Sequence, residues 1–89
     1  MAYSVVFSKK ADRQLQKLDM ATQRLIVASI NKHLEGCDNP RAIGKALSGD
    51  RAGQWRYRIG TYRLLATIDD GKVTVYVFKV AHRRAVYDV

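Results

Sequence analysis

The sequence predicts an α+β fold in which a two-helix hairpin covers one face of a small antiparallel sheet that also takes in an N-terminal strand. Three observations carry this expectation. Apolar residues recur at helical spacing between Lys9 and Gly36, they alternate with period two from Gln54 onward, and a short β-branched and aromatic run precedes the first helix. The chain has 89 residues and 10.1 kDa, which fits one domain spanning 1–89 and excludes two.

Residues 3–7 are rich in β-branched and aromatic side chains and read as a strand that stops at Ser8, a good helix cap. In 9–18, Ala11, Leu15 and Leu18 form one apolar stripe, with Lys9, Lys10, Arg13 and Lys17 elsewhere on the helix surface. After Asp19 the helical period resumes through Ile26, Val27, Ile30 and Leu34 until Gly36. Asp38, Asn39 and Pro40 break that helix, and the stretch to Gly53 reads as a loop anchored by Ile43 and Leu47. Strands follow over 54–59, 62–68 and 73–80, with a bend at Gly60 and Thr61 and hairpin chemistry at Asp69, Asp70 and Gly71. The first strand joins this meander at its edge or its centre.

Sixteen Lys and Arg stand against eight Asp and Glu, a net charge of +8. Such an excess suits a polyanionic partner, nucleic acid or an acidic protein. A single cysteine, Cys37, excludes an internal disulfide or a Cys-rich metal site and fits a reducing cytoplasm. The apolar run before Lys9 is too short for a signal-peptide core, and no stretch approaches the roughly 18 apolar residues of a membrane span.

Alternation in 54–59 sends Arg56 and Arg58 to one face and Trp55, Tyr57 and Ile59 to the helix-packed face. Leu64 and Ala66 are the better core residues of the next strand, so Arg63 joins the open side. His82, Arg83, Arg84 and Tyr87 form a basic, aromatic tail able to fold over the sheet edge. Charged residues on a sheet face often only discourage aggregation. Like charges side by side nevertheless repel unless an anion bridges them, and the planar fork of arginine suits phosphate oxygens. Classical catalytic sets are missing: His33 reads as a surface or boundary residue, Asp69 and Asp70 belong to a turn, and Gly44, Gly49 and Gly53 are loop glycines.

The order strand, two helices, long loop and meander, together with Gly44-Lys45-Ala46-Leu47, Trp55-Arg56-Tyr57-Arg58-Ile59-Gly60, Tyr62-Arg63-Leu64 and His82-Arg83-Arg84-Ala85-Val86-Tyr87, closely resembles the RelE toxins of bacterial and archaeal toxin-antitoxin modules. The resemblance spans essentially the whole chain. It implies a RelE-like fold and a ribosome-dependent endoribonuclease that cuts mRNA in the decoding site, with 16S rRNA contacts, in the cytoplasm. It further implies neutralisation by a RelB-like antitoxin in a hetero-oligomer. By that resemblance Arg56 and Arg58 match the basic positions of the first meander strand, Arg63 the arginine of the Tyr-Arg-Leu motif, Arg83 the arginine near the end of the last strand and Tyr87 the C-terminal tyrosine.

The implied reaction is metal-independent attack of the RNA 2'-hydroxyl on the adjacent phosphorus, with no cofactor. We take Arg58, Arg63, Arg83, His82 and Tyr87 as catalytic and Arg56, Arg84 and Lys45 as RNA-binding. Some members place lysines where this chain has Arg56 and Arg58, and arginine is a poor proton donor near neutrality, so its role is electrostatic. His82 is the side chain of the cluster that ordinarily titrates nearest pH 7, and Tyr87 could position the hydroxyl; the proton-transfer assignment stays open between them. The chain also ends at Val89, short of the longer C-terminal helix of some relatives, which is expected to expose the site or to leave a groove for the antitoxin. Alanine at Arg63 or Arg83 is expected to abolish toxicity without harming the fold. Two other readings remain: a ParE-like toxin acting on DNA gyrase, and a non-catalytic RNA-binding module.

Overall fold

Helix starts are set by side-chain caps. Ser8 accepts the Ala11 N–H at 3.0 Å and opens α1 (Lys9–Gln16), and Asp19 accepts the Thr22 N–H at 3.1 Å and opens α2 (Met20–Ser29). Between them, the Gln23 amide donates to the carbonyls of Gln16 and Leu18 at 3.1 and 2.7 Å, satisfying acceptors orphaned at the end of α1 and fixing the tight turn. The helix after Asp19 does not run uniformly to Gly36. It passes into a π-helical turn, Ile30–Leu34, closed by the Glu35 N–H on the Ile30 carbonyl at 2.7 Å.

The structure, a computed structural model, describes residues 2–84. The five strands are β1 (Ser4–Phe7), β2 (Lys45–Ala46), β3 (Gln54–Ile59), β4 (Tyr62–Asp69) and β5 (Thr74–His82), in the spatial order β1-β5-β4-β3-β2. β1 lies at the edge, parallel to β5, and every other pairing is antiparallel. The helix-facing core joins Tyr57, Ile59, Leu64, Ala66, Val75, Val77 and Val80 to Ala11, Leu15, Ile26, Ile30 and Leu34. The aromatic and aliphatic side of β3 is therefore the packed side, as alternation indicated, although Trp55 is only partly buried. No described helix is long and apolar enough to cross a membrane.

The segment 38–53 is more ordered than a loop. Asn39 accepts the Arg41 N–H at 3.2 Å and caps α3 (Pro40–Ile43), so Pro40 begins a helix instead of ending one. Proline is well placed there, because the first helical residue has no intrahelical use for an N–H. β2 then pairs with β3, and a 3₁₀ turn spans Gly49–Arg51.

Tyr57 anchors this segment from below. Its hydroxyl donates to the Pro40 carbonyl at 2.9 Å in a buried position, and burial pushes its pKa from 10.0 to about 12. A tyrosine raised in the folded state stabilises fully below the unfolded value and loses that contribution as pH climbs through the folded one. Absorbance titration of the five tyrosines should therefore show ionisation delayed into the window from 10.0 to about 12, with Tyr3 also raised by its bond to Asp70, and the Tyr57 part of the delay absent in Tyr57→Phe. Uniform titration of all of them near 10.0 in folded protein would sink this assignment.

Candidate nucleic-acid interface

Strand register assembles the cations. Arg58 of β3 lies directly opposite Arg63 of β4, and Arg63 in turn faces Ala81 of β5. One pleat along, Lys45, Arg56, Leu65 and Lys79 follow one another across β2, β3, β4 and β5. All these residues share the sheet face turned away from the helices, because cross-strand partners project to the same side. Arg83 extends the ladder, its N–H donating to the Thr61 carbonyl at 2.8 Å.

Lys79 is the member that alternation misses. Strict period two from Val75 and Val77 would turn residue 79 inward, yet a bulge between the Leu65 and Ala66 pairings inserts Phe78, and from there the phase reverses. Val80 enters the core and Lys79 joins Arg56 and Lys45. The signal available in the sequence is the spacing of the apolar residues Val75, Val77 and Val80, which steps by two and then by three.

Arg63 is not a freely offered charge. It is 5% exposed, its Nη1 donates to the carbonyls of Gly60 and Tyr62 at 3.2 and 3.0 Å, and its Nε is buried with no hydrogen-bond partner. Burial first, and then the charges of Arg58, Arg56 and Arg83, hold its pKa below the ordinary arginine range. No carboxylate of the described residues is among the charges acting on it. This corrects the expectation that Arg63 can be removed harmlessly: Arg63→Ala deletes bonds that tie the β3–β4 turn and should cost roughly 1.5 to 3 kcal/mol of stability, read from the denaturant midpoint. The same face is not wholly open, since Leu65, 2% exposed, is buried on the arginine side outside the helix-facing core.

His82 stands apart from the arginines. Its register partner is Tyr62, on the opposite side of the strand from Arg63 and Ala81, and the two rings meet edge to face with centroids 5.5 Å apart. Its Nδ1 accepts the Arg84 N–H at 3.5 Å, a long contact across the strand end. The structure thus gathers Arg56, Arg58, Arg63, Arg83 and Lys45 at one end of the sheet and separates His82 from them. Arg84 is exposed beyond the strand, and Tyr87 lies outside the described residues. His33, read as a surface residue, is exposed and lines a small cavity of about 80 Å³ beside Ile43 and Tyr57.

Acidic groups collect at the other end of β4. Asp70 accepts both Arg41 guanidinium nitrogens at 3.0 and 2.9 Å and the Tyr3 hydroxyl at 2.6 Å, which hold its carboxyl below the usual range. Seven residues along β4 separate Asp70 from Arg63, roughly 23 Å at the usual rise. Among the described residues no group of three His, Cys, Asp or Glu could hold a metal ion.

The chain is similar to known proteins along nearly its whole length. The family described as ParE toxin of type II toxin-antitoxin system, parDE, matches residues 5–87. Toxin RelG of Mycobacterium tuberculosis is 38% identical over 88 residues, covering 98% of each chain. The chain belongs to the RelE family of type II toxins. A second relative of this RelE-family toxin, Toxin RelE of the same organism, is 34% identical over 85 residues, covering 96% of this chain and 86% of its own. The fold agrees: the toxin-antitoxin complex RelBE2 of M. tuberculosis contains a chain that superposes with a TM-score of 0.83 at 37% identity, over 93% of the RelE-family toxin described here and 100% of that chain.

Proposed function

We propose that this toxin is a ribosome-dependent endoribonuclease that cuts mRNA without a metal and is neutralised by a RelB-like antitoxin. The observation that carries the reading is the direct pairing of Arg58 with Arg63, reinforced by Arg56 and Arg83, with no carboxylate of the described residues acting on Arg63. Two arginines opposite each other on adjacent strands are mutually repulsive, and a phosphodiester between them would convert that repulsion into binding. Supporting the partner, the M. tuberculosis relative of the same fold is a toxin in a toxin-antitoxin complex.

In the proposed step the 2'-hydroxyl oxygen bonds to the adjacent phosphorus and the bond from phosphorus to the 5'-oxygen breaks. The products are a 2',3'-cyclic phosphate and a 5'-hydroxyl. One proton leaves the 2'-oxygen and one reaches the departing 5'-oxygen, while negative charge builds on the non-bridging oxygens. Exposed Arg58 and Arg83 meet that charge, and buried Arg63 sets their positions through the β3–β4 turn. Arginine does not exchange protons near neutrality, so it binds and stabilises only. His82 packs on Tyr62, which favours a role in ordering the strand end; His82→Gln should cleave within a few-fold of the parent. Tyr87 is the remaining residue we assign to the 2'-hydroxyl.

One experiment tests the reading. Purified toxin is added to translating ribosomes with primer extension on the message, beside a gyrase supercoiling assay. Cleavage confined to ribosome-bound message is expected. Inhibition of supercoiling with an intact message would instead select the gyrase-directed reading.

A further inference from the structure

The open face of the sheet changes character along β4. Outward residues of this strand fall two apart, Arg63, Leu65, Thr67 and Asp69, and with their partners they make successive rows roughly 7 Å apart. The first row pairs Arg58 with Arg63, and the second holds Lys45, Arg56, Leu65 and Lys79. The third row carries no charge. It runs Gln54, Thr67, Tyr76 and Val6 across β3, β4, β5 and β1, and its outward sense is fixed because Ala66, Val75 and Val77 occupy the helix-facing core. Asp69, opposite Thr74, closes the track with negative charge. Packing leaves Tyr76 without an explanation: it is 43% exposed, beside Val6 at 45%. Between it and Lys79, half-buried Phe78 belongs neither to the helix-facing core nor to the apolar residues packed against it, and Leu65 is buried on the open side. An apolar and aromatic floor therefore continues the cationic rows.

We infer that Tyr76 stacks on an unpaired base of the RNA, two rows and roughly 13 Å from the Arg58 and Arg63 pair, and so positions the strand across the arginines. The inference rests on the RNA target proposed above. The cationic rows would accept any polyanion, and the uncharged third row selects among them. A duplex keeps its bases inside the stack and a polycarboxylate has none. A single strand offers a π face to the Tyr76 ring and base edges to the Gln54 amide and the Thr67 hydroxyl. A protein partner is the poorer occupant, because the exposed large apolar residues of this row are Val6 and Tyr76, too few to bury the core of a stable interface.

The test compares Tyr76→Val, which keeps a strand former and removes the ring, with Tyr76→Phe, which keeps the ring. The probe is a 2'-O-methyl uridine oligomer, which has no hydroxyl to attack, carrying one 2-aminopurine whose emission falls when it stacks. The parent and Tyr76→Phe should bind and quench it alike. Tyr76→Val, with an unchanged melting curve, should bind about 5- to 100-fold more weakly, the usual scale for one stack of a base on an aromatic ring, and lose most of the quenching. Its log-log salt slope should match the parent's, since no charge is removed. Equal affinity and quenching in Tyr76→Val would overturn the inference, as would weak binding by Tyr76→Phe, which would assign the effect to the hydroxyl. So would an equal loss on a fully paired RNA stem, where no base is free to stack. A concentration-dependent parent dimer abolished by Tyr76→Val would give this face to a second copy of the chain and overturn it too. A parent that binds and quenches the oligomer yet never cuts ribosome-bound message would sink the nuclease reading alone, leaving the oligomer measurements to decide this one.

Discussion

Arg58→Ala is expected to lower single-turnover cleavage on programmed ribosomes by about 10²- to 10³-fold while the melting midpoint stays put. The size follows from losing one preorganised donor to the developing phosphorane charge, and the selectivity follows from exposure. Arg58 sits on the solvent side of β3 with Arg63 directly across from it, and its removal also relieves the repulsion between them. Arg63→Ala is the contrasting case, losing activity and stability together because its guanidinium is buried against the Gly60 and Tyr62 carbonyls. Parallel kinetics and denaturation on both variants check the pair. Full activity in Arg58→Ala at equal protein level would move the active face elsewhere.

Gly44→Val should destabilise the fold by about 1 to 3 kcal/mol through overpacking. A Cβ at position 44 would sit 2.7 Å from Tyr57 Cε1 and 3.0 Å from its Cζ. The ring cannot yield cheaply, since its hydroxyl is bonded to the Pro40 carbonyl and its body is in the core. The backbone at Gly44 is extended, with φ −97°, so the requirement is for space and not for left-handed conformation. Tyr57→Leu in the same chain should recover part of the loss, making the double variant less destabilised than the sum of the singles. Strict additivity in urea melts would show that the two positions do not meet.

The contrast between Gly44 and Gly60 shows how far residue type can be read. Gly60 has φ +59° and makes the β3–β4 bend that the sequence signals openly, whereas Gly44 reads as one more loop glycine until the Tyr57 ring is placed beneath it. Pro40 misleads in the same way: as a helix breaker it ends a pattern, and the Asn39 cap that makes it a helix start is a weak local cue.

What the sequence by itself determined is the set of local periodicities and their phase. Ser8 and Asp19 mark two helix starts, and the alternation of Trp55, Tyr57 and Ile59 with Arg56 and Arg58 separates core from cation on one strand, because burial of apolar side chains enforces the pleat. The arginine-rich face and the family resemblance were legible from there. Tertiary structure alone decided which cations meet. Arg58 faces Arg63, the Phe78 bulge brings Lys79 outward beside Leu65, and His82 turns to Tyr62 instead of to the arginines. Those outcomes depend on register between strands, which is set by backbone hydrogen bonds and packing between residues distant in the chain, and a one-residue slip at a bulge inverts every side chain beyond it.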